Sequence, residues 1–244
     1  MNVPPYSVLA PAYDKILEHV NYDVWYDYIL ALMKRYVEKP EVIVELGCGT
    51  GRFGVKFSAD GYTIYGIDRS LDMLKAAKSR AKKNFRLICA DMTSFALAKP
   101  ADFIFCVHDT VNYLLSKTEL CNFFSCVRNA MHEKSVFMFD MTTSYNIENY
   151  FDNLSYVYEI KGKKVEWDNS FNRRKGFVHS ILRFHNGDGT YHEENHYQRL
   201  YSIPVVKRLL EQEKFEVLGI FGDSTFNDPG SKTIMVNFVA KRKV

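Results

Sequence analysis

Apolar and polar positions along this chain follow a repeating order of helix-spaced and strand-like segments. Over residues 21–36, Trp25, Tyr28, Ile29, Leu32 and Tyr36 recur at helical spacing, and Glu38-Lys39-Pro40 ends the pattern. Val42-Ile43-Val44 is a short β-branched run that predicts a buried strand, followed by a short helix to about Ala59 and a second strand over 62–67 that ends at Asp68. Ser70 stands where a helix cap is needed, with Leu71, Leu74 and Ala77 on one expected face. Further strands at 85–89, 103–107 and 136–139 end at Asp91, His108-Asp109 and Asp140. Before the last of these, Ser116-x-x-Glu119 spells a capping box ahead of Leu120, Phe123, Phe124, Val127 and Met131.

After Tyr150 the rhythm becomes two-residue alternation. Strands are predicted at 155–160, 165–170, 177–185 and 191–201, separated by turns such as Lys161-Gly162-Lys163 and Asn186-Gly187-Asp188-Gly189, the pattern of antiparallel hairpins. Ser202 then caps a helix with Pro204 in its first turn, and two closing strands follow at 215–221 and 233–240. The expected architecture is one α/β domain made of residues 1–149 and 201–244, with a parallel sheet covered on both faces, interrupted by an antiparallel β insertion at 150–200. In such sheets ligands bind beyond the carboxyl ends of the strands, and Glu45, Asp68, Asp91, Asp109 and Asp140 put a ring of acids there.

Composition narrows the class of protein. The chain has 244 residues, 47% hydrophobic and 25% charged, which is globular rather than disordered. Thirty-two basic against 29 acidic side chains leave +3, too slight to indicate nucleic acid or an anionic membrane as partner. The longest apolar run is residues 28–33, far short of the ~20 a membrane span needs, and the first residues lack the basic and apolar regions of a secretory signal. Five cysteines with no C-x-x-C pair predict reduced, buried thiols and a cytoplasmic protein; monomer and homodimer are both open. Sixteen tyrosines are more than a core needs. They concentrate at residues 6–28 and 145–201, so they are expected to line a lid more than to fill the core.

Gly47, Gly49 and Gly51 lie between a strand and a helix, where glycine permits a sharp turn and close approach of a ligand. Glycines 49, 51 and 54 also spell G-x-G-x-x-G, and Asp68 lies where a ribose-binding acid belongs, so a dinucleotide must be weighed. Glu45 tells against it, because a carboxylate beside the loop repels a pyrophosphate. S-adenosylmethionine carries a sulfonium and an ammonium and no phosphate, which suits an acidic edge. The glycine spacing also departs from the dinucleotide fingerprint, and no Gly-Lys-Ser/Thr follows to make a phosphate loop.

Val44-Glu45-Leu46-Gly47-Cys48-Gly49-Thr50-Gly51 resembles motif I of class I S-adenosylmethionine-dependent methyltransferases, and Gly66-Ile67-Asp68-Arg69-Ser70, Ala90-Asp91-Met92 and Asp102-Phe103-Ile104-Phe105 follow in the matching order. Leu9 to Asp14, Asp109 to Tyr113, Phe139 to Thr143 and Glu194-x-His196-x-x-Arg199-x-Tyr201 are similar to a bacterial subgroup of small-molecule methyltransferases with a β insertion. The resemblance implies a Rossmann-like, seven-stranded, mostly parallel sheet, an insertion that caps the active site, and S-adenosylmethionine as cofactor. It implies that Gly47, Cys48 and Gly49 wrap the methionine part, that Asp68 accepts the ribose hydroxyls, and that Arg69 and Met73 cover the adenine edge. Asp91 is implied to accept the adenine amino group beside Met92, His108 to lie near the sulfonium, and Tyr13, Tyr22 and Trp25 to close over the cofactor. Ser231-Lys232-Thr233 departs from the acidic-Arg pair that related sequences carry there.

Transfer from a sulfonium needs mainly alignment, and a base only where the acceptor carries a proton. His108 and Asp109 are the candidate catalytic residues, with Tyr113 as partner. His192-Glu193-Glu194-Asn195-His196 spells H-E-x-x-H, but on a strand four residues span ~13 Å, so zinc is not expected and no metal is assigned. The strand after residue 103 lacks the Pro-Pro and Pro-Cys marks of nucleic-acid base methyltransferases. The expected function is methyl transfer to a small-molecule amine or hydroxyl. A non-catalytic cofactor-binding protein and an NAD-dependent oxidoreductase are the competing readings.

Overall fold

A computed structural model describes residues 1–243; Val244, the last residue of the expected α/β unit, lies outside them. In chain order the elements are β1 (Asn2–Val3), α1 (Ala10–Ile16), α2 (Tyr22–Tyr36), β2 (Val42–Leu46), α3 (Arg52–Ala59), β3 (Thr63–Asp68), α4 (Leu71–Ala77), β4 (Phe85–Cys89), β5 (Ala101–Cys106), α5 (Lys117–Asn129) and β6 (Met131–Thr142). They continue with α6 (Ser144–Tyr150), β7 (Ser155–Ile160), β8 (Lys163–Asn172), β9 (Phe177–His185), β10 (Tyr191–Arg199), α7 (Ile203–Gln212), β11 (Phe215–Gly222) and β12 (Met235–Arg242).

Seven strands form one sheet in the order β11-β12-β6-β5-β2-β3-β4. The β6-β5-β2-β3-β4 pairings are parallel, and β12 runs antiparallel to both its neighbours. Alternate residues of each strand feed opposite faces. Val44, Ile104, Phe137 and Phe139 meet Phe123 and Phe124 of α5 and Leu209 and Leu210 of α7. Ile43, Phe103, Phe105 and Met138 meet Ile29, Leu32 and Met33 of α2 and Phe53 and Phe57 of α3. The capping box is formed in full: Ser116 Oγ accepts from the Glu119 backbone N–H, and the Glu119 carboxylate accepts from the Ser116 N–H.

The second sheet, β1-β10-β9-β8-β7, is antiparallel except at one edge, where Asn2 and Val3 pair parallel to Glu193 and Glu194. Its inner face holds Val165, Leu182 and Phe184 against Leu9 and Ile16, so the N-terminal arm and α1 pack on the β insertion. The pattern of residues 1–16 gives no period long enough to predict β1 or α1. Nor does it announce α6, whose N-cap is the Thr143 hydroxyl accepting from Asn146 N–H.

Several expectations are corrected. Leu71 is exposed, and Met73 takes its place beside Leu74 and Ala77, because the buried face of the helix runs through 73, 74 and 77 and the first helical residue lies off it. Met131 opens β6 rather than closing α5, since Ala130 already caps the helix. Only Cys48 and Cys106 are buried; Cys89 is exposed, and Cys121 and Cys126 are intermediate. Tyr22, Tyr26 and Tyr28 belong to the core face under α2, not to a lid, and Tyr150, Tyr191 and Tyr197 are exposed.

Candidate functional site

The carboxyl ends of β2, β3, β4 and β5 open onto a crevice that the N-terminal arm and the 109–115 turn also line. The glycine loop forms its floor. Gly47, Gly49 and Gly51 all have positive φ, and a Cβ on Gly47 would stand 2.3 Å from Thr110 Cγ2, so only glycine fits against that turn. Asp68, at the end of β3, accepts from Gly49 N–H at 2.9 Å through Oδ2 and from Ser70 N–H at 2.8 Å through Oδ1. One bond on each oxygen fixes the carboxylate and leaves lone pairs for a ligand's hydroxyls. Burial raises the Asp68 pKa, against the opposing bonds from Ser70 and Gly49.

The main cavity is lined by Tyr13, Gly47, Gly49, Asp68, Arg69, Met73, Asp91, Met92 and His108 of the sequence-predicted set. Asp91 Oδ1 is held by the backbone N–H and hydroxyl of Thr93, which fixes this cavity-lining carboxylate. A smaller adjoining cavity, sharing Tyr13, Gly47, Gly49 and His108, brings in Tyr22, Glu45 and Cys48. Trp25 lines neither cavity and packs on the His108 ring at 4.8 Å. The wall that the sequence did not announce consists of Tyr6, Thr110, Leu114 and Glu119, with Tyr113 beside them.

Two features fit S-adenosylmethionine and not a pyrophosphate. Glu45 is buried with Oε2 lacking any partner among the described residues, and burial lifts its pKa well above the usual value. A cation arriving there supplies the missing counter-charge. The main cavity's lining also holds three carboxylates, Asp68, Asp91 and Glu119, against one guanidinium, Arg69.

His108 and Asp109 both adopt positive φ in the sharp turn that follows β5, with their backbone N–H groups donated to the Asp140 carboxylate at 2.8 and 2.9 Å. The His108 ring stacks on Tyr22 at 5.3 Å and lies against Trp25 and Phe53, and burial lowers its pKa to about 4. Burial pushes Asp109 up to about 7, and its Oδ1 is buried without a partner.

The N-terminal arm and the 109–115 turn, which line the cavity, are both tied to β10. Every named position of Glu194-x-His196-x-x-Arg199-x-Tyr201 ties down a segment that faces the cavity. The Glu194 carboxylate, wholly buried, accepts backbone N–H bonds from Tyr6, Val8 and Leu9 at 2.8, 2.6 and 2.9 Å. His196 Nδ1 meets the Tyr113 hydroxyl at 3.1 Å. Arg199 donates to the Leu115 carbonyl, and the Tyr201 hydroxyl donates to that of Leu114. Asn112 stitches the same turn to both sheets, donating to Arg199 O and accepting from Thr142 N–H. Burial opposes charge on Glu194, but the bonds from His196, Leu9, Val8 and Tyr6 outweigh it and hold its pKa below the ordinary carboxylate value.

Asp14 anchors α1 to the glycine loop, accepting from the Thr50 hydroxyl at 2.7 Å and from Arg52 and Arg80 at 3.1 and 2.6 Å. This holds Tyr13, one residue earlier, over the loop. H-E-x-x-H lies within β10, as its place after a hairpin turn predicted, and His196 is bonded to Glu194 two residues away.

Comparison with known proteins agrees with this geometry. Residues 43–134 match the family described as a methyltransferase domain. A protein of Geobacillus sp. (strain WCH70), named as a methyltransferase, is 28% identical over 245 residues, covering 97% of this chain and 99% of its own. The crystal structure of an S-adenosylmethionine-dependent methyltransferase from Clostridium acetobutylicum ATCC 824 superposes with a TM-score of 0.83 at 23% identity, covering 98% of this chain and 99% of that one. The sugar N-methyltransferase KedS8 from Streptoalloteichus sp. ATCC 53650 superposes with a TM-score of 0.77 at 15% identity, over 95% of this chain and 93% of its own. No helix among the described residues is long and apolar enough to cross a membrane. With the glycine loop and the strand-end acids, these likenesses give the chain a methyltransferase domain over residues 43–134 and the fold of class I S-adenosylmethionine-dependent methyltransferases.

Proposed function

We propose that this enzyme transfers a methyl group from S-adenosylmethionine to a small-molecule amine or hydroxyl, with an amine favoured, in the crevice at the strand ends. The observation that carries the reading is the two-sided cavity. Asp68, Arg69, Asp91 and Met92 at the strand ends, with Met73 of α4, form one wall, and Tyr6, Tyr13 and Tyr113 form the other. The first wall suits an adenosine: Asp68 for the ribose hydroxyls, Asp91 for the adenine amino group, Met73 and Met92 for the ring. Gly47, Cys48 and Gly49 then hold the methionine part, with Glu45 facing its positive charge and His108, backed by Tyr22 and Trp25, as an uncharged ring near the sulfonium. Aromatic faces and the Glu119 carboxylate on the other side suit an ammonium-bearing acceptor. The likeness to a sugar N-methyltransferase supports the amine.

The bound cofactor supplies an already activated methyl, so the protein's task is alignment in a site screened from water. The β insertion, by holding β10 against the 109–115 turn, is the cap that does the screening. Calorimetry with S-adenosylhomocysteine tests the cofactor half, and absence of binding to folded protein refutes it. Radiolabelled S-adenosylmethionine with a pool of amino sugars, amino acids, aromatic amines and phenols tests the acceptor half. Label appearing only in phenols would reverse the preference for amines.

A further inference from the structure

The hydroxyls facing the expected acceptor are not independent. Tyr6 Oη donates to Tyr113 Oη at 2.7 Å, Tyr113 Oη lies 3.1 Å from His196 Nδ1, and His196 Nε2 lies 3.0 Å from Glu194 Oε2. With the His196 ring neutral, the direction of every bond in this chain follows. An ionised carboxylate only accepts, so Nε2 carries the imidazole hydrogen and Nδ1 of the neutral ring is bare. Tyr113 therefore donates to Nδ1, and its oxygen is free to accept from Tyr6. The two tyrosines line the cavity, whereas His196 and Glu194 are buried behind them.

We propose that Tyr6 and Tyr113 take up the proton that an amine acceptor loses on methylation, with His196 and Glu194 as the positioning residues that order the chain and hold the proton. The inference rests on the amine reading above. On transfer the C–S bond breaks with its electron pair left on sulfur, and the C–N bond forms from the amine's lone pair. The nitrogen, now positively charged, gives a proton to the Tyr6 oxygen. Tyr6 passes its own to Tyr113, and Tyr113 passes its own to His196 Nδ1. The imidazolium that results sits against the Glu194 carboxylate and releases the proton after the product leaves. A carboxylate-oriented histidine behind a hydroxyl is the arrangement that activates hydroxyl nucleophiles elsewhere, used here to receive a proton rather than to create a nucleophile.

The other strand-end groups are less suited. His108 is a weak base at its lowered pKa, and Asp109 is absent from the lining of the main cavity.

Glu194 has a second duty that couples this chain to closure of the site. The oxygen that orients His196 also accepts the Tyr6 backbone N–H. The arm must be seated for Tyr6 to join the chain, so proton uptake is available only in the closed crevice.

The test uses the full chain in two measurements. In 15N-labelled protein saturated with S-adenosylhomocysteine, His196 shows a protonated Nε2 and a bare Nδ1 at neutral pH, and Tyr113→Phe moves the Nδ1 resonance. A ring protonated at Nδ1, or an Nδ1 resonance unmoved by Tyr113→Phe, overturns the proposal. In turnover with the amine pool, His196→Gln and, separately, Tyr113→Phe lower kcat by about 10²-fold, while S-adenosylhomocysteine affinity is retained. Unchanged kcat in both variants overturns the proton pathway and leaves the amine reading standing. Loss of affinity in step with kcat in both makes the residues structural and also overturns it. A wild-type protein that binds S-adenosylhomocysteine but methylates no amine refutes the amine reading, and this inference with it.

Discussion

The glycine-loop edge and the roof over it are held by bonds of very different reach. Asp68 fixes Gly49 across 19 residues of chain, and Ser70 across two. Glu194 fixes Tyr6 across 188 residues, His196 meets Tyr113 across 83, and Tyr201 meets Leu114 across 87. The floor is therefore a local object that a short stretch of sequence encodes almost by itself. The roof exists only when the N-terminal arm, the 109–115 turn and β10 come together. Loop-closure entropy makes the second kind of contact slower to form and easier to lose. In the proposed function the floor is the side of the cofactor, which every turnover shares, and the roof is the side of the acceptor.

The sharpest way to break the comparison is to remove the roof's anchor. Glu194→Ala leaves the Tyr6, Val8 and Leu9 N–H groups and the His196 ring without their acceptor. Losing one partner of a buried pair is expected to cost about 3–5 kcal/mol, read as a lower urea midpoint and as fast hydrogen exchange at residues 6–9. Slow exchange at those residues in a folded variant would mean that the arm is held by β1 and Leu9 instead. The pH dependence has a definite sign. The folded-state pKa of Glu194 is depressed below its ordinary 4.5. Its contribution is thus fully present above that value and is lost as pH falls through the lower, folded-state value. Glu194→Gln flattens the stability curve in that acid window, and a curve unchanged there would deny Glu194 its charge in the folded state.

The floor offers the next largest effect. Asp68→Ala removes the acceptor for Gly49 and Ser70 and the group proposed for the ribose. About 3 kcal/mol, or 10²-fold in S-adenosylhomocysteine affinity, is expected from the loss of charge-assisted bonds. Calorimetry giving an unchanged constant would show that the cofactor does not lie along β3. The floor variant should leave exchange at residues 6–9 slow, the roof variant should not, and that contrast is the comparison in measurable form.

What could be read in advance follows the same division. Motif I, the strand-end acids and the capping box are each set within about 20 residues by turn geometry and burial, so pattern and spacing disclosed them. The two-residue β1, the helix holding Tyr13 and the role of Glu194 depend on partners more than 180 residues away or on a face supplied by the β insertion. Glu194 had one readable signal. It is an acid on a strand, two residues from a histidine on the same face, where an exposed polar strand needs neither. The tyrosine excess misled for a related reason. At helix spacing Tyr22, Tyr26 and Tyr28 serve a core as well as a lid, and only the packing of α2 on the sheet decides between them.

Glu119 joins the two regions and sharpens the comparison with the smallest effect. By sequence it is the fourth position of a capping box, and by structure it lines the main cavity. Its Oε2 accepts from both the backbone N–H and the hydroxyl of Ser116, at 2.8 and 2.9 Å. The cap thus fixes where a cavity carboxylate points. Ser116→Ala deletes the hydroxyl's bond to the Glu119 N–H and its bond to Oε2, and about 1 kcal/mol of stability should go with them. Cofactor affinity should be unaffected, since the adenosine wall is untouched. The effect on turnover should appear as a raised KM for the pooled amines at constant kcat, because Glu119 loses its aim while Tyr6 and Tyr113 keep theirs. A fall in kcat at constant KM would instead place Glu119 among the groups that act during transfer and would move the catalytic side of the cavity from β10 to α5.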